Sequence, residues 1–206
     1  MWHRRKRGND VVNAVKSLSM LMLLSACAPS YDEVLPTPVQ GPVLDEGDAL
    51  DSSGRIRRIA TFRSTTLVLR RERYGPDPLR DPLSEFSPVD MVMAWGRAGL
   101  RTGRDGVRIA QGRRRYGWEA RGEVWARPDV RAFGSNSANW HLIPADAGIA
   151  ERLEGVGRGD VVMIEGDLVS VRAGDGTVIR SSTTRDDSGD GACEIVRVTR
   201  IMTVGD

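Results

Sequence analysis

Short runs of β-favouring residues, separated by Gly and Asp, fill the last quarter of the 206-residue chain. They occupy residues 160–165, 167–172, 177–185 and 193–204. Val, Ile and Thr suit the pleated surface of a sheet, while Gly and Asp mark the turns that end a strand. Runs joined by such short connections predict a meander of antiparallel strands.

Further β-favouring runs precede this meander. Residues 55–62 and 65–73 are predicted strands, and residues 107–109 and 123–125 have the Gly and Pro flanks of sheet elements. The apolar segment 89–95 fits either a strand or a helix. The chain therefore contains more predicted strand than helix.

One helix is predicted after Asp146. Asp146 is a suitable N-cap, and Ile149, Leu153 and Val156 follow at helical spacing before Gly157. The predicted fold class is mainly β (α+β): a small antiparallel β-barrel or curled sheet with one short helix. An OB-like arrangement is one form of it, because GDVVMIEGDLVSV resembles strands of small-barrel proteins.

The N-terminal residues predict export. A positively charged start is followed by an apolar run at 18–24, shorter than the roughly 20 residues that cross a bilayer. The next residues, Leu24-Ser25-Ala26-Cys27, resemble the lipobox of bacterial lipoproteins. The resemblance implies that residues 1–26 are a lipoprotein signal peptide. An ordinary cleavable signal with an incidental cysteine is the alternative.

The lipobox resemblance also implies a cellular location. Cys27 would carry the acyl chains, palmitate among them, and would anchor the protein to a membrane of the cell envelope on its periplasmic side. Ala28 follows the cysteine where inner-membrane lipoproteins have Asp. The resemblance therefore favours the outer membrane over the inner one.

Residues 27–53 are predicted to be the lipidated cysteine and a disordered tether. Residues 28–53 contain four Pro, six acidic residues and neither Lys nor Arg. Such a composition buries too little apolar area to offset the entropy of ordering the chain. The alternative is a short ordered arm on the surface of a single β-rich domain, residues 54–206.

Charge is unevenly distributed along this domain. All 25 of its basic residues are Arg, against 21 acidic residues. Residues 54–121 contain 16 Arg and 7 acidic residues, whereas residues 122–206 contain 9 and 14. Either the two halves attract each other, or a basic face binds an anionic partner.

A basic and aromatic cluster is the candidate binding site. It consists of Arg113, Arg114, Arg115, Tyr116 and Trp118. Cations beside flat rings suit an anionic polysaccharide or a phosphorylated lipid. Nucleic acid is not expected at a periplasmic location. If residues 113–118 form a strand, alternation places Arg114, Tyr116 and Trp118 on one face, and the alternative is a core Trp118 beside a solvated edge.

Cys193 and His141 are the alternative site, that of a cysteine-dependent enzyme. A thiol becomes a nucleophile when an imidazole takes its proton, and Asn139 or Asp146 could orient that ring. Cys193, however, opens a predicted strand, where cysteines are more often buried for packing. The sequence thus favours a protein without catalytic activity.

Two further segments carry polar candidates. Asp186, Ser188, Asp190 and Gly191 match the first half of a calcium loop, but Arg197 stands where the closing Glu is required. The segment 136–146 could line a pocket through its residues Trp140, His141, Leu142, Ile143 and Pro144. The favoured alternative is that a backbone group satisfies His141. With one His left after signal removal, no metal site and no cofactor is predicted.

Three segments together resemble an uncharacterised family of exported or membrane-anchored bacterial proteins. They are SPVDMVMAWG at 87–96, SANWHLIPA at 137–145 and SSTTRDDSGDGACEIVRV at 181–198. The resemblance implies a single domain and brings no activity. The sequence as a whole predicts an envelope lipoprotein, a non-catalytic binding or structural module for an anionic or protein partner.

Overall fold

The computed structural model describes residues 33–45, 47–100, 104–185 and 192–205. Its strands are β1 (Val39–Gln40), β2 (Ile56–Arg73), β3 (Val89–Ala94), β4 (Arg108–Gly112), β5 (Arg115–Glu119), β6 (Ser137–Pro144), β7 (Val161–Arg172), β8 (Val178–Arg180) and β9 (Glu194–Thr203). Its α-helices are α1 (Glu123–Ala126), α2 (Pro128–Arg131) and α3 (Ala147–Gly155), with 3-10 turns at Pro82–Glu85, Arg97–Gly99 and Gly134–Asn136. The mainly β class is confirmed. None of the helices in these ranges combines the length and apolarity that crossing a membrane would require.

Seven strands form one curled sheet in the order β1-β2-β3-β6-β9-β7-β8. A second pairing of β2, with β7, bends the sheet into a partial ring rather than a closed barrel. Strands β7, β8 and β9 of the predicted meander pair antiparallel, but its runs at 160–165 and 167–172 form one continuous strand, β7, rather than two. The sheet also contains one parallel pair, β6 with β9, which the predicted antiparallel barrel or sheet did not include. Helix α3 and strands β7 and β8 lie between β6 and β9 in the chain. They bring the chain back to the end of the sheet at which β6 begins, so that β9 runs in the same direction as β6. This strand order agrees with the OB-like alternative, a partly open Greek-key arrangement.

Strand β2 unites two strands that the sequence predicts separately. Its residues from Ile56 to Leu67 pair with β7, and those from Leu67 to Arg73 pair with β3. Register shifts between Arg58 and Ala60 and between Val68 and Arg70 allow one continuous strand to bend around the ring. The polar residues between the two predicted runs therefore mark no turn.

Trp140 lies at the centre of the main hydrophobic core. Its ring is fully buried, 5.1 Å from the Phe62 ring in an edge-on arrangement and 6.3 Å from the Trp95 ring in a stacked one. Leu142, on the same face of β6, is also fully buried. These two positions therefore do not line the pocket considered for 136–146, since alternation along β6 directs both side chains into the core.

Helix α3 confirms the sequence-based prediction for this segment. Asp146 caps it by accepting a hydrogen bond of 2.9 Å from the backbone N–H of Ile149. Ile149, Leu153 and Val156 are all buried in the main core. Two four-residue helices, α1 and α2, were not predicted, and α1 replaces the strand expected at 123–125.

Strand β7 depends on glycine at a register shift against β9. The shift falls between Glu165 and Gly166. A Cβ atom at Gly166 would lie 2.1 Å from the backbone oxygen of Arg197. No larger residue fits this close approach of two backbones.

Residues 33–45 and 47–53 lie on the domain as an ordered arm, the second of the two alternatives for this segment. Leu35 is buried in the main core, and Val39 and Gln40 pair with β2. The Gln40 side chain donates to the Thr183 carbonyl at 3.1 Å, and Arg180 donates to the Leu44 carbonyl at 3.1 Å. Residues 27–32 lie outside the described ranges.

Charge compensation between the two halves of the domain is observed in part. Arg58 pairs with Asp167 at 2.7 Å, and Arg97 pairs with Asp129 at 2.9 Å. The Glu154 carboxylate lies 2.9 Å from the Arg71 guanidinium. Each pair joins the basic first half to the acidic second half, so part of the basic excess is neutralised within the domain.

Candidate functional site

Strands β4 and β5 form a hairpin whose two-residue turn is made by arginines. Arg113 and Arg114 have φ angles of +50° and +63°. Two successive left-handed residues define a type I′ turn, which normally uses Asn and Gly, and each non-Gly residue there costs roughly 1–3 kcal/mol. The strand predicted from 113 therefore begins at Arg115, and other contacts must hold the turn in place.

Arg114 supplies those contacts with its side chain. Its Nε donates to Asp81 Oδ2 at 2.7 Å, Nη1 to Asp90 Oδ1 at 2.7 Å, and Nη2 to the Ser87 carbonyl at 2.8 Å. The guanidinium carbon lies 3.7 Å from the centre of the Tyr74 ring. Only 13% of the side chain is exposed. Through these buried contacts Arg114 attaches the hairpin turn to the sheet.

Asp90 is the buried anion at the centre of this cluster. Its side chain has no exposed surface. Besides Arg114, it accepts a 3.2 Å hydrogen bond from Asn139 Nδ2, and His141 Nδ1 lies 2.9 Å from Asp90 Oδ1 without a well-directed hydrogen bond. A buried carboxylate is tolerable when cations and N–H donors surround it, and Asp90 meets that condition.

Two tyrosines border the Arg114 and Asp90 pair. The Tyr74 hydroxyl accepts a 3.0 Å hydrogen bond from the Arg114 backbone N–H. Burial, with the nearby Asp90 charge, raises the pKa of Tyr74 to about 12. Burial also raises the pKa of Tyr116, whose hydroxyl donates to the Ser137 carbonyl at 2.9 Å. Both phenols therefore stay neutral near pH 7 and act as hydrogen-bonding groups.

Three segments singled out in the sequence, 87–96, 137–145 and 181–198, meet at this cluster through their described residues. Segment 87–96 contributes Asp90, segment 137–145 contributes Asn139 and His141, and segment 181–198 contributes Cys193. The Cys193 sulfur lies 3.9 Å from the Arg114 carbonyl oxygen, a group that also accepts a 3.2 Å hydrogen bond from Asn139. The hairpin turn thus packs where the three segments converge.

His141 lies on β6, and Cys193 lies just before the parallel neighbouring strand β9, so the two residues are offset along the strand direction. His141 pairs with Ile195, and Cys193 precedes that residue by two positions. Two residues of strand correspond to roughly 7 Å. The His141 ring approaches Asp90, while the half-buried Cys193 sulfur approaches the Arg114 carbonyl. The structure therefore places Cys193 and His141 in one region, but His141 contacts Asp90 and Cys193 contacts the Arg114 carbonyl.

Trp118 faces the core and anchors the inner side of the hairpin. Its ring centre lies 5.1 Å from that of Phe133 and 5.5 Å from that of Trp125, which stacks on it and is half exposed. Gln111, on the same side, donates to Asn139 Oδ1 at 2.8 Å. Trp118 and Tyr116, the aromatic residues of the predicted cluster, thus face inward and attach the hairpin to the rest of the domain.

The outer face of the hairpin presents the remaining arginines. The register pairs Arg108 with Glu119, Ala110 with Gly117 and Gly112 with Arg115, so these residues share the outward face. Arg108, Arg113 and Arg115 are exposed. Nothing lies within 4 Å of a Cβ built on Gly112 or Gly117. This arrangement is a flat, open surface with cations along it, which we call the hairpin face.

Several predicted residues lie outside the described ranges. They are Cys27 and the loop residues Asp186, Ser188, Asp190 and Gly191. Glu194, beyond that loop, is buried, and its Oε1 lies 2.6 Å from Arg185 Nη1. In the ranges that the structure describes, no group of three or more His, Cys, Asp or Glu side chains is placed to hold a metal ion.

The central role of Asp90 and Arg114 is not apparent from the spacing of residues along the chain. One signal does exist, because Asp90 is the only charged residue in the apolar segment 89–95. A carboxylate in a strand with two buried faces requires a cation, and the nearest arginine-rich turn supplies one. No protein-family model, no curated protein and no solved structure matches the chain.

Proposed function

We propose that the protein is a non-catalytic binding module, anchored in the cell envelope by lipid on Cys27. Its partner is an anionic envelope polymer or an acidic protein surface. The anchor is supported by the residues Leu24-Ser25-Ala26-Cys27 after a short apolar run. Binding is supported by the geometry of the hairpin face.

One observation carries the binding proposal: the three neighbouring arginines of the turn have different roles. The Arg114 guanidinium forms ion pairs with Asp81 and Asp90 inside the domain. Arg113 and Arg115 flank it and remain exposed. Arginine is suited to carboxylate and phosphate groups because its planar fork donates two parallel hydrogen bonds. The open part of the hairpin face, at Gly112 and Gly117, leaves room for a polymer chain to approach.

The anchor is tested by replacing Cys27 with Ser. We expect the wild-type protein to sediment with membranes and the Cys27→Ser variant to lose that association, because the thiol to which lipid would be attached is gone. Mass spectrometry of the purified wild type should show a mass increase at Cys27 corresponding to lipid. A Cys193→Ser variant is the matched control and should stay with the membrane. An unmodified Cys27 thiol in the membrane fraction would contradict the anchor.

Binding is tested with the double variant Arg113→Ala/Arg115→Ala. We expect its affinity for an anionic polysaccharide such as heparin to fall by roughly 30- to 700-fold, since two charge-assisted contacts of about 1–2 kcal/mol each are lost. Affinity of the wild type should also fall as the salt concentration rises. Retention on a heparin column and fluorescence titration measure both effects.

The matched control for this test is Arg80→Ala. Arg80 is exposed and lies outside the hairpin, so its removal changes the total charge without changing the hairpin face. Retention that falls equally in the control and the double variant would indicate a general charge effect. That outcome, or unchanged retention of the double variant, would reject the hairpin face as the binding site.

A further inference from the structure

A concave site lies away from the hairpin. It is an open cleft of about 560 Å³, formed by the arm, β2, β7 and Thr199 in the middle of β9. Small-molecule sites commonly have volumes of about 300–1,000 Å³. The cleft shares no lining residue with the hairpin face. One wall is the arm itself, at Val39, Gln40 and Gly41, so the docking of the arm creates the cleft.

Most charges that line the cleft are already compensated. Arg58 binds Asp167 at 2.7 Å and also faces Asp48 at 3.3 Å. The hydrogen bond with Asp167 raises the pKa of Arg58 above its ordinary value. Glu165 lies 3.8 Å from Arg200. These contacts leave both carboxylates of the lining, Asp167 and Glu165, beside a cation.

Arg63 is the exception among the lining charges. Its side chain is exposed, and within the described ranges it makes neither an ion pair nor a hydrogen bond. Its neighbour across the strand pair is Val39 of the arm, an apolar side chain that is 51% exposed. A cation beside an apolar patch in a cleft is a suitable site for an organic anion.

The other walls carry small groups and hydroxyls. Thr61 and Thr199 are exposed, and Thr199 donates to the Glu165 carbonyl at 3.2 Å, which leaves its oxygen available as an acceptor. Gly41 stands against Thr61, where a Cβ would lie 2.5 Å from the hydroxyl oxygen. Hydroxyl groups beside one cation are suited to a sugar, because each sugar hydroxyl both donates and accepts hydrogen bonds.

From this arrangement we propose that the cleft binds a carboxylate-bearing sugar, with Arg63 holding the carboxylate and the two threonines facing the ring hydroxyls. Arg63 supplies charge-assisted hydrogen bonds to the carboxylate. Val39 contacts the apolar face of the ring. The site is independent of the hairpin face and does not depend on the identity of the partner bound there.

The test is a titration of the full chain with D-glucuronate, followed by NMR of the backbone amides. Shifts should concentrate at residues 61–63 and 165–167. D-glucose and acetate, which each supply one half of the ligand, should bind at least 10-fold more weakly. Arg63→Ala should weaken glucuronate binding by about 10-fold or more, because a charge-assisted hydrogen bond contributes roughly 1.5–3 kcal/mol.

Two control variants distinguish binding in the cleft from a general effect of charge. Arg121→Ala removes an arginine that is 81% exposed and outside the cleft, and it should leave the affinity unchanged. Thr199→Val keeps every charge and should weaken glucuronate binding while sparing the weak binding of acetate. Equal affinity for glucuronate and acetate, full affinity in Arg63→Ala, or shifts elsewhere in the chain would each overturn the proposal.

Discussion

Replacing Arg114 with Ala is expected to lower the free energy of unfolding by about 3–5 kcal/mol, the usual cost of removing one partner of a buried ion pair. The variant leaves Asp90 fully buried without its cation and Asp81 without its nearest partner. It also removes the cation that lies 3.7 Å from the centre of the Tyr74 ring. Urea denaturation followed by tryptophan fluorescence measures the loss.

The control for this prediction is its neighbour in the same turn. Arg113→Ala keeps a non-Gly residue at a φ of +50° and removes an exposed side chain, so its unfolding free energy should change by less than about 0.5 kcal/mol. A second control replaces both buried charges, as Asp90→Asn with Arg114→Met. Removing a buried pair together usually costs less than removing one partner, so this variant should be more stable than Arg114→Ala.

Equal stability of Arg114→Ala and Arg113→Ala would show that the Asp90 contact contributes nothing to holding the hairpin. The same pair of variants also separates stability from binding. Arg113→Ala alone should weaken anion binding while leaving the fold intact. A triple replacement of residues 113–115 would confuse the two effects, because one of its three changes damages the interior.

Local signals in the sequence predict some parts of this structure well. Helix α3 is read from Asp146 and from apolar residues at helical spacing, both properties of adjacent residues. The β-favouring runs at the end of the chain do form β7, β8 and β9. These elements are predictable because their hydrogen-bonding and burial patterns are set within a few residues.

Strand β6 shows where local signals are insufficient. Its residues Trp140, His141 and Leu142 suggest a pocket with a polar group, yet Trp140 and Leu142 are core residues and His141 faces Asp90. The side chains of β6 are buried on both faces, because the hairpin covers one face near Ser137 and Asn139 and a separate apolar cluster covers it at Ile143. The hairpin that covers β6 is formed by β4 and β5, a different part of the chain. The pattern of polar and apolar residues within β6 therefore does not reveal that its second face is buried.

The charged residues illustrate the same limit. Three consecutive arginines have identical side chains, and only the backbone of the turn decides which of them reaches Asp90. Composition correctly indicates a basic first half, but it does not distinguish an arginine paired in the interior from an arginine exposed at the surface. Arg114 is the interior arginine because it contacts Asp90, which is 24 positions away along the chain.

Replacing Trp140 with Ala is the second prediction with a large expected effect. The ring is fully buried between Phe62 and Trp95, and deleting a buried Trp costs about 3–5 kcal/mol of unfolding free energy through lost transfer energy and a residual cavity. We expect this loss in urea denaturation monitored by circular dichroism. If instead Trp140 lined a ligand pocket, its removal would reduce stability much less.

Trp125→Ala is the matched control for the core substitution. Trp125 is 50% exposed and contacts Trp118 in a stacked pair, an interaction worth roughly 0.5–1.5 kcal/mol. Trp140→Phe should fall between the two variants, because it keeps most of the apolar ring and removes an indole N–H that has no hydrogen-bond partner among the described residues. Similar losses for Trp140→Ala and Trp125→Ala would contradict the position of Trp140 at the centre of the core. In that case β6 would have to be shifted by one residue, which would turn Trp140 outward and break the register that brings His141 to Asp90.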